Sequence, residues 1–577
     1  MTKSSMHALL AFLFCAVSAS CLSAAQYDWT GNMTGNYTWS TTSNWNSGTV
    51  PNSTTADAVF NNTGYVLNNA TVRINVDSDI TLFDIRVVGT AVGNSSLTFY
   101  GNTITINGTS GSKIQSTSTT LGTTIENNVV LASSNSTSIS TGSSAGPLWF
   151  KGAISGSSPI TIDGGSYLYL GGNNTFTGNV TFVGGGEVIA TSTGAFSGAN
   201  AGTYTLNSAA SNSNFGSVAS GTTTFSNAID FNNRSSDMKI FTGNAGSTFD
   251  IATSAFSNTG GSGRILLERL PSATYIGYNA TTAGTVKFSG TEFSMAKGVT
   301  SAGGNAKLEL APASGTQTWT GNFTGFSSTN SITKSGAGTV ILGGTNTYTS
   351  QTYVNAGTLL INGTHIEATQ GWGGAGAGVG IYEVASGGTL GGTGLISGND
   401  TRALTNMVLV KNGGTIAPGG TSIGTLTLDG INIGNGTNTS HVLNMNDGSK
   451  FSFRLAGNGG TSDQIDFWNY ASGDLLLGGN NTVNLTLSGA GDGGTHTVSL
   501  FKFYSGNGTS ALFSGTNLTT GLTLGTLDPN ISGTPTFSYF SDRIDLTYTS
   551  LVPEPATWVL VALAGTFLVT MRLRRRS

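Results

Sequence analysis

Two stretches of this chain superimpose without a gap, 172 residues apart. Ile160–Ala190 reads ITIDGGSYLYLGGNNTFTGNVTFVGGGEVIA, and Ile332–Asn362 reads ITKSGAGTVILGGTNTYTSQTYVNAGTLLIN. Leu170-Gly171-Gly172 falls on Leu342-Gly343-Gly344, and Asn174-Thr175-Phe176-Thr177 on Asn346-Thr347-Tyr348-Thr349. Phe182 falls on Val354 and Ile189 on Ile361. Apolar positions match apolar positions while the turn glycines stay in place, as in repeated strand–turn units. The second copy predicts short strands over Thr339 to Leu342, Thr352 to Asn355 and Thr358 to Ile361. Alternation puts Val340 with Leu342, and Leu359 with Ile361, on one face. Strands this short close no core alone, but stacked coil upon coil they bury a continuous apolar column. The expected fold is all-β, a right-handed parallel β-helix or solenoid. A β-sandwich array is the structural alternative.

Composition agrees with stacked strands and excludes several function classes. Charged residues make up 9% of the chain, against about 25% in ordinary soluble proteins. Hydrophobic residues still reach 37%, and 85 glycines sit largely between the apolar runs, which argues for turns rather than disorder. From Gln26 to Leu551 the chain has 18 Lys and Arg against 26 Asp and Glu, a net charge of −8. No clustered basic surface for nucleic acid is expected from that balance. Both cysteines, Cys15 and Cys21, precede Gln26, so the remainder holds no thiol for a disulfide or a thiolate metal site.

The ends read as addresses. Lys3 and His7 precede an apolar stretch, Ala8 to Val17, followed by Ser23-Ala24-Ala25. This is the pattern of a secretory signal peptide, with signal peptidase expected to cut between Ala25 and Gln26. Cys21 invites a lipoprotein reading, but Ser18 stands where a lipobox would normally have leucine. At the other end, Val552-Pro553-Glu554-Pro555 leads into an uncharged run, 556–571, and then Arg572, Arg574, Arg575 and Arg576. The run is short for a bilayer, which takes roughly 20 apolar residues or 17 at the low end. Arginines mark the cytoplasmic side, which places the body outside the cytoplasm. The motif, the run and the basic end, in this order, resemble the PEP-CTERM sorting signal of Gram-negative bacteria. That resemblance implies an exosortase-type sorting protease as partner, transient anchoring in the inner membrane, and release to the cell surface or extracellular matrix. A plain C-terminal membrane anchor is the alternative.

The second repeat copy resembles the autotransporter-associated β-strand repeat through Lys334-Ser335-Gly336-Ala337-Gly338-Thr339, Leu342, Gly344, Asn346-Thr347-Tyr348-Thr349 and Ala356-Gly357-Thr358-Leu359. The first copy matches less well, with Gly184-Gly185-Gly186-Glu187 in place of the Ala-Gly-Thr-Leu element. Gly413 to Gly430 (GGTIAPGGTSIGTLTLDG) is similar to a later element of the same proteins, and Trp39, Trp45, Pro51 and Asp57-Ala58-Val59-Phe60 fit their start. No barrel-sized domain of long alternating strands follows the last repeat, so the body is expected to be passenger-like without its own translocator. The expected divisions are 1–25 signal peptide, 26–155 β-rich cap and start of the solenoid, 156–440 repeat-bearing β-helix, 441–551 C-terminal β-rich region and 552–577 sorting signal.

Candidate chemistry is sparse. The closest acidic pairs are Asp77 with Asp79, Asp463 with Asp466, and Asp542 with Asp545. On a strand the first pair would share a face, as a polysaccharide lyase or glycoside hydrolase needs, while the others would point apart. Solvated strand ends or turns are the plainer reading of all three. His365, His441 and His496 are isolated and read as lone surface histidines. Trp29, Trp39 and Trp45 crowd the mature N-terminus, where they either stack on glycans or close the end of the β-helix. Asn-x-Ser/Thr triplets, such as those at Asn36, Asn107, Asn362 and Asn507, are expected by chance in this composition. No catalytic, cofactor-binding or metal-ligating residue is assigned. The expected function is that of a non-enzymatic, secreted surface or matrix protein. By resemblance it is structural or adhesive in association with exopolysaccharide or other surface glycans. The rivals are a carbohydrate-cleaving enzyme on the same scaffold and a self-assembling surface-layer component.

Overall fold

A computed structural model describes residues 24–552, apart from 32–34, 62–70, 90–94, 118–120, 143–145, 166, 185–186, 197–201, 207–213, 233, 270–283, 302–305, 327–329, 367–379, 399–405, 431–440, 470–473, 507–508 and 511–521. The leader through residue 23, the Pro553-Glu554-Pro555 motif, the run 556–571 and the arginines Arg572, Arg574, Arg575 and Arg576 lie outside the described residues. Val552 is described and exposed. Ala25 and Gln26 open the first strand, Ala25–Asp28, and the Ala25 N–H donates to the carbonyl of Thr55 at 2.7 Å.

Among the described residues every regular element is a strand except one 3₁₀ turn, Thr42–Asn44. No described helix is long and apolar enough to cross a membrane. The chain divides into two compact units, Met1–Glu309 and Leu310–Ser577, and each carries one copy of the repeat.

In the first unit a ten-stranded sheet runs from Ala25–Asp28 through Ala56–Asn61, Asp84–Val88, Ser112–Ser116, Thr137–Thr141, Ile160–Gly164, Val180–Phe182, Tyr204–Leu206 and Ile229–Asp230 to Phe256–Ser257. Its strands pair in parallel although they are not consecutive in sequence, because the chain visits other sheets between them. After Ser112–Ser116, for example, it passes through Leu121–Ile125 and Val129–Leu131 before returning at Thr137–Thr141. The register stacks like on like. Ile85, Ile114, Ile139, Ile162 and Phe182 occupy successive rungs of one inward column, and all are buried.

The second unit repeats the plan. Ile332–Lys334, Thr339–Leu342 and Thr345–Asn346 form one three-sided coil, and Thr352–Val354, Gly357–Ile361 and Thr364–Ile366 form the next. Successive coils continue to Leu475–Leu477, Asn481–Ser488 and Thr495–Gly506. Val340, Leu359, Leu390, Ile416, Phe451 and Val483 line up inside, each at most 1% exposed. Full burial of such a side chain contributes about 1.5–3 kcal/mol, so the column is a main source of stability. The parallel stack ends where Arg543–Ser550 pairs antiparallel with both Thr495–Gly506 and Ile531–Tyr539. These stacked parallel sheets are the arrangement of a parallel β-helix, as the repeat predicts.

The strand Thr339–Leu342 has the expected bounds, and Thr352–Val354 and Gly357–Ile361 differ from expectation by one residue at an end. The gapless superposition needs correcting. Leu168 pairs with Val188 in the first copy, but Val340 pairs with Leu359 in the second. The corner after Val180–Phe182 is therefore one residue longer than the corner after Thr352–Val354. A one-residue slip exchanges the faces of a strand. Ile189 consequently stacks on Tyr169 on the outer face, where it packs with Phe241, whereas Ile361 stacks on Leu342 inside.

Candidate functional site

The tryptophans are core. Trp29, Trp39 and Trp45 are 5%, 1% and 2% exposed. Trp45 packs edge-on against Trp29 and Trp39 at 5.0 and 4.9 Å, and all three rings meet Phe60. The Trp39 indole N–H donates to the Pro51 carbonyl, and that of Trp45 to the Trp39 carbonyl. The glycan-stacking reading of these residues is thereby corrected. Their apolar faces gain more from packing on one another in the first coil than from facing water, and no face is left for a sugar.

The acidic pairs hold corners. Asp77 and Asp79 lie between the strands Thr71–Val76 and Ile80–Leu82, not on a shared strand face. Asp77 accepts from the Ser40 N–H and hydroxyl, which holds its carboxyl below the usual range, and Asp79 accepts from the Thr103 N–H. Arg543 bridges Asp542 at 3.1 Å and Asp545 at 3.0 Å. Among the described residues, no group of three His, Cys, Asp or Glu is placed to hold a metal ion.

His365 is not a surface residue. It is 1% exposed inside the second unit. Its Nε2 lies 3.1 Å from the Tyr348 carbonyl, so Nε2–H donates, and its Nδ1 accepts from the Tyr382 hydroxyl at 2.6 Å. Tyr348 and Thr352 extend the chain of hydroxyls at 3.3 and 2.9 Å. Burial holds the imidazole down at about 4. Lys334, from the repeat motif, is also buried. Its ammonium donates to the carbonyls of Ser335, Gly336 and Ala356, each at 2.8 Å, and so ties the corner of one coil to the corner of the next. Burial lowers it to about 8. Lys297 makes the same kind of tie in the first unit, to the carbonyls of Gly260, Arg234 and Gly263.

The 413–430 segment builds a ridge on the outer surface of the second unit. Residues 419–424 leave the strand Thr415–Pro418 and re-enter at Thr425–Asp429. A bidentate ion pair fastens this loop. Arg454 Nε and Nη2 meet the Asp463 carboxylate at 3.0 and 3.2 Å, and Nη2 also donates to the Ser422 carbonyl. Asp463 additionally accepts from the Gly424 and Arg454 backbone N–H groups, both at 2.9 Å. Burial pushes the Asp463 carboxyl up against the pull of these donors. Gly419 has φ +87°, and a side chain there would collide with the Arg454 and Asp463 side chains.

Two clefts flank this ridge. One, of about 490 Å³, lies between Ile423–Thr425, the hairpin residues Gly459–Ser462, and Thr497, Ser499 and Lys502. The other, of about 300 Å³, is floored by Thr316, Thr339, Thr358 and Thr389, with Leu360 and Ala417 beside them and Arg454 with Asp463 at the ridge. The four threonines stand opposite one another on consecutive rungs, with Thr415 next in line. All four are half-buried, and among the described residues none of their hydroxyls has a hydrogen-bond partner.

Sequence reasoning brought forward the 413–430 element, Asp463 and Lys334 as a motif residue, but missed Arg454, the buried role of Lys334 and the threonine column. The column does have a sequence signal. Each of its members follows a glycine, at Gly315-Thr316, Gly338-Thr339, Gly357-Thr358, Gly388-Thr389 and Gly414-Thr415. The intervals are unequal because the far corners differ in length, so a fixed-period search passes over it.

The fold and this surface define an all-β protein of stacked parallel strands with a polar outer face. Residues 332–361 match the family model of the passenger-associated-transport-repeat. This is the stretch that forms two consecutive rungs around Lys334. No curated protein matches the chain. The repeat and the fold together suggest a secreted passenger protein at the cell surface of a Gram-negative bacterium.

Proposed function

We propose that this protein is a non-enzymatic, secreted surface or matrix protein whose right-handed β-helical body adheres to exopolysaccharide or other surface glycans. The observation that carries the reading is the column of threonine hydroxyls without partners beside a passenger repeat. Such a face offers many weak, uncharged hydrogen bonds, which suits a polyhydroxylated polymer. The carboxylates singled out in the sequence are engaged in corner and ion-pair contacts, which supports binding over hydrolysis. In the same reading, the leader is removed after Ala25, the run 556–571 holds the chain transiently in the inner membrane, and an exosortase-type protease acts near Pro553-Glu554-Pro555.

Protein purified from its native host tests both parts. Intact-mass measurement is expected to give a chain starting at Gln26 and ending close to the Pro-Glu-Pro motif, and co-sedimentation with native exopolysaccharide is expected to be saturable. An unprocessed chain recovered from cytosol would contradict the sorting route. Failure to bind either polysaccharide or cells at high protein concentration would contradict the adhesive role.

A further inference from the structure

The geometry points to the threonine-floored cleft as a subsite for an uncharged, linear glycan lying along the stacking direction of the rungs. The inference rests on the glycan reading above and adds to it a place, an orientation and a ligand class. Adjacent parallel strands lie about 4.8 Å apart, so Thr339, Thr358 and Thr389 present hydroxyls at that repeat in a straight row. A partner that uses the row must itself carry a donor or acceptor at regular steps along a line. An extended peptide advances about 3.3 Å per residue and would pair through its main chain at a sheet edge. The row lies instead on a sheet face, where side chains alone are offered.

Charge narrows the ligand further. The charged groups lining the cleft are Arg454 and Asp463, and they neutralise each other through two contacts. An anionic polymer therefore meets no net attraction. The guanidinium still has a donor to give. Nε and Nη2 are engaged, while among the described residues Nη1 has no partner. The methyls of the half-buried threonines supply the apolar contacts on which the C–H faces of sugar rings rest. The ridge is held rigidly by the buried Asp463, so little ordering is required on binding.

The test uses the mature secreted protein, titrated calorimetrically with neutral hexasaccharides (cellohexaose, xylohexaose and mannohexaose) and with hexagalacturonate as the charged counterpart. At least one neutral hexasaccharide is expected to bind with an affinity that does not change between low and high salt. Thr339→Val combined with Thr358→Val keeps the β-branched shape and removes two hydroxyls. It is expected to weaken binding roughly tenfold, as the loss of one or two hydrogen bonds does, without changing the melting temperature. Thr339→Ser with Thr358→Ser, which restores the hydroxyls, is expected to bind within about threefold of the parent. Unchanged binding by the valine pair overturns the inference, as does binding confined to hexagalacturonate and lost in salt. A protein that binds native exopolysaccharide but no neutral hexasaccharide also overturns it, leaving the adhesive reading intact. A protein that binds none of these, exopolysaccharide included, overturns both.

Discussion

At the scale of single residues, the buried imidazole of His365 is the group whose chemistry departs furthest from what its sequence neighbours indicate. Its partners Tyr348 and Tyr382 lie 17 residues before and after it, one coil away on each side. That relation becomes visible only once the coil length is known, which is why an isolated histidine reads as exposed. The hydroxyl chain runs one way: Tyr382 donates to Nδ1, and Nε2–H donates to a carbonyl. Taking up a proton at Nδ1 would place a charge on a fully buried ring, and desolvation disfavours it. The imidazole is held at about 4 when folded and near 6.5 when unfolded. Between those values the unfolded chain binds the proton and the folded chain does not. Stability is therefore complete above about pH 6.5 and falls as pH drops toward 4, by about 3 kcal/mol in total. Denaturant unfolding of the second unit at pH 7 and pH 4.5 is expected to show this loss, and His365→Asn to flatten it. Asp84 in the first unit works in the opposite sense. Burial raises its carboxyl to about 6, so its cost is felt above that pH and relieved in acid. Tyr382→Phe is expected to cost about 1–3 kcal/mol by leaving Nδ1 unsatisfied.

At the scale of elements, the short strands were legible and the corners were not. Alternation in Thr339–Leu342 is enforced by one buried and one outward face, so the pattern survives in the sequence. A corner needs only a compatible turn and a close backbone approach, which many glycine-rich strings satisfy. Gly357 has φ +64°, and a side chain on it would meet the carbonyls of Gly336 and Gly338 in the preceding rung. Neither constraint fixes how many residues the corner holds, and the one-residue difference between the repeat copies arises there. Lys334 shows what fixes the corner physically. Its ammonium donates to three corner carbonyls, those of Ser335, Gly336 and Ala356. Lys334→Met keeps most of the side-chain volume and removes the donors. It is expected to destabilise the second unit by about 2–4 kcal/mol in chemical denaturation. A loss below about 0.5 kcal/mol would mean that the contacts to the carbonyls add nothing.

At the scale of the whole molecule, the described rungs draw their stability from repetition. Each coil buries an apolar column against its neighbours and leaves an outward row free to vary, and the threonine row is one such free face. The candidate cleft was only partly legible for this reason. Its ridge is a contiguous motif, while its floor is assembled from four segments that become neighbours through the register alone. The register is therefore the central claim, and disulfide trapping measures it most directly. With Cys15 and Cys21 replaced by serine, cysteines are introduced in pairs and the oxidised products compared. Thr339→Cys with Thr358→Cys places the pair on opposed positions of adjacent strands, about 4.8 Å apart and within the reach of a disulfide. Thr339→Cys with Thr389→Cys places them two rungs apart, beyond that reach. The account predicts rapid intramolecular cross-linking of the first pair and none of the second, whereas a cross-link in the second pair, or its absence from the first, would contradict it.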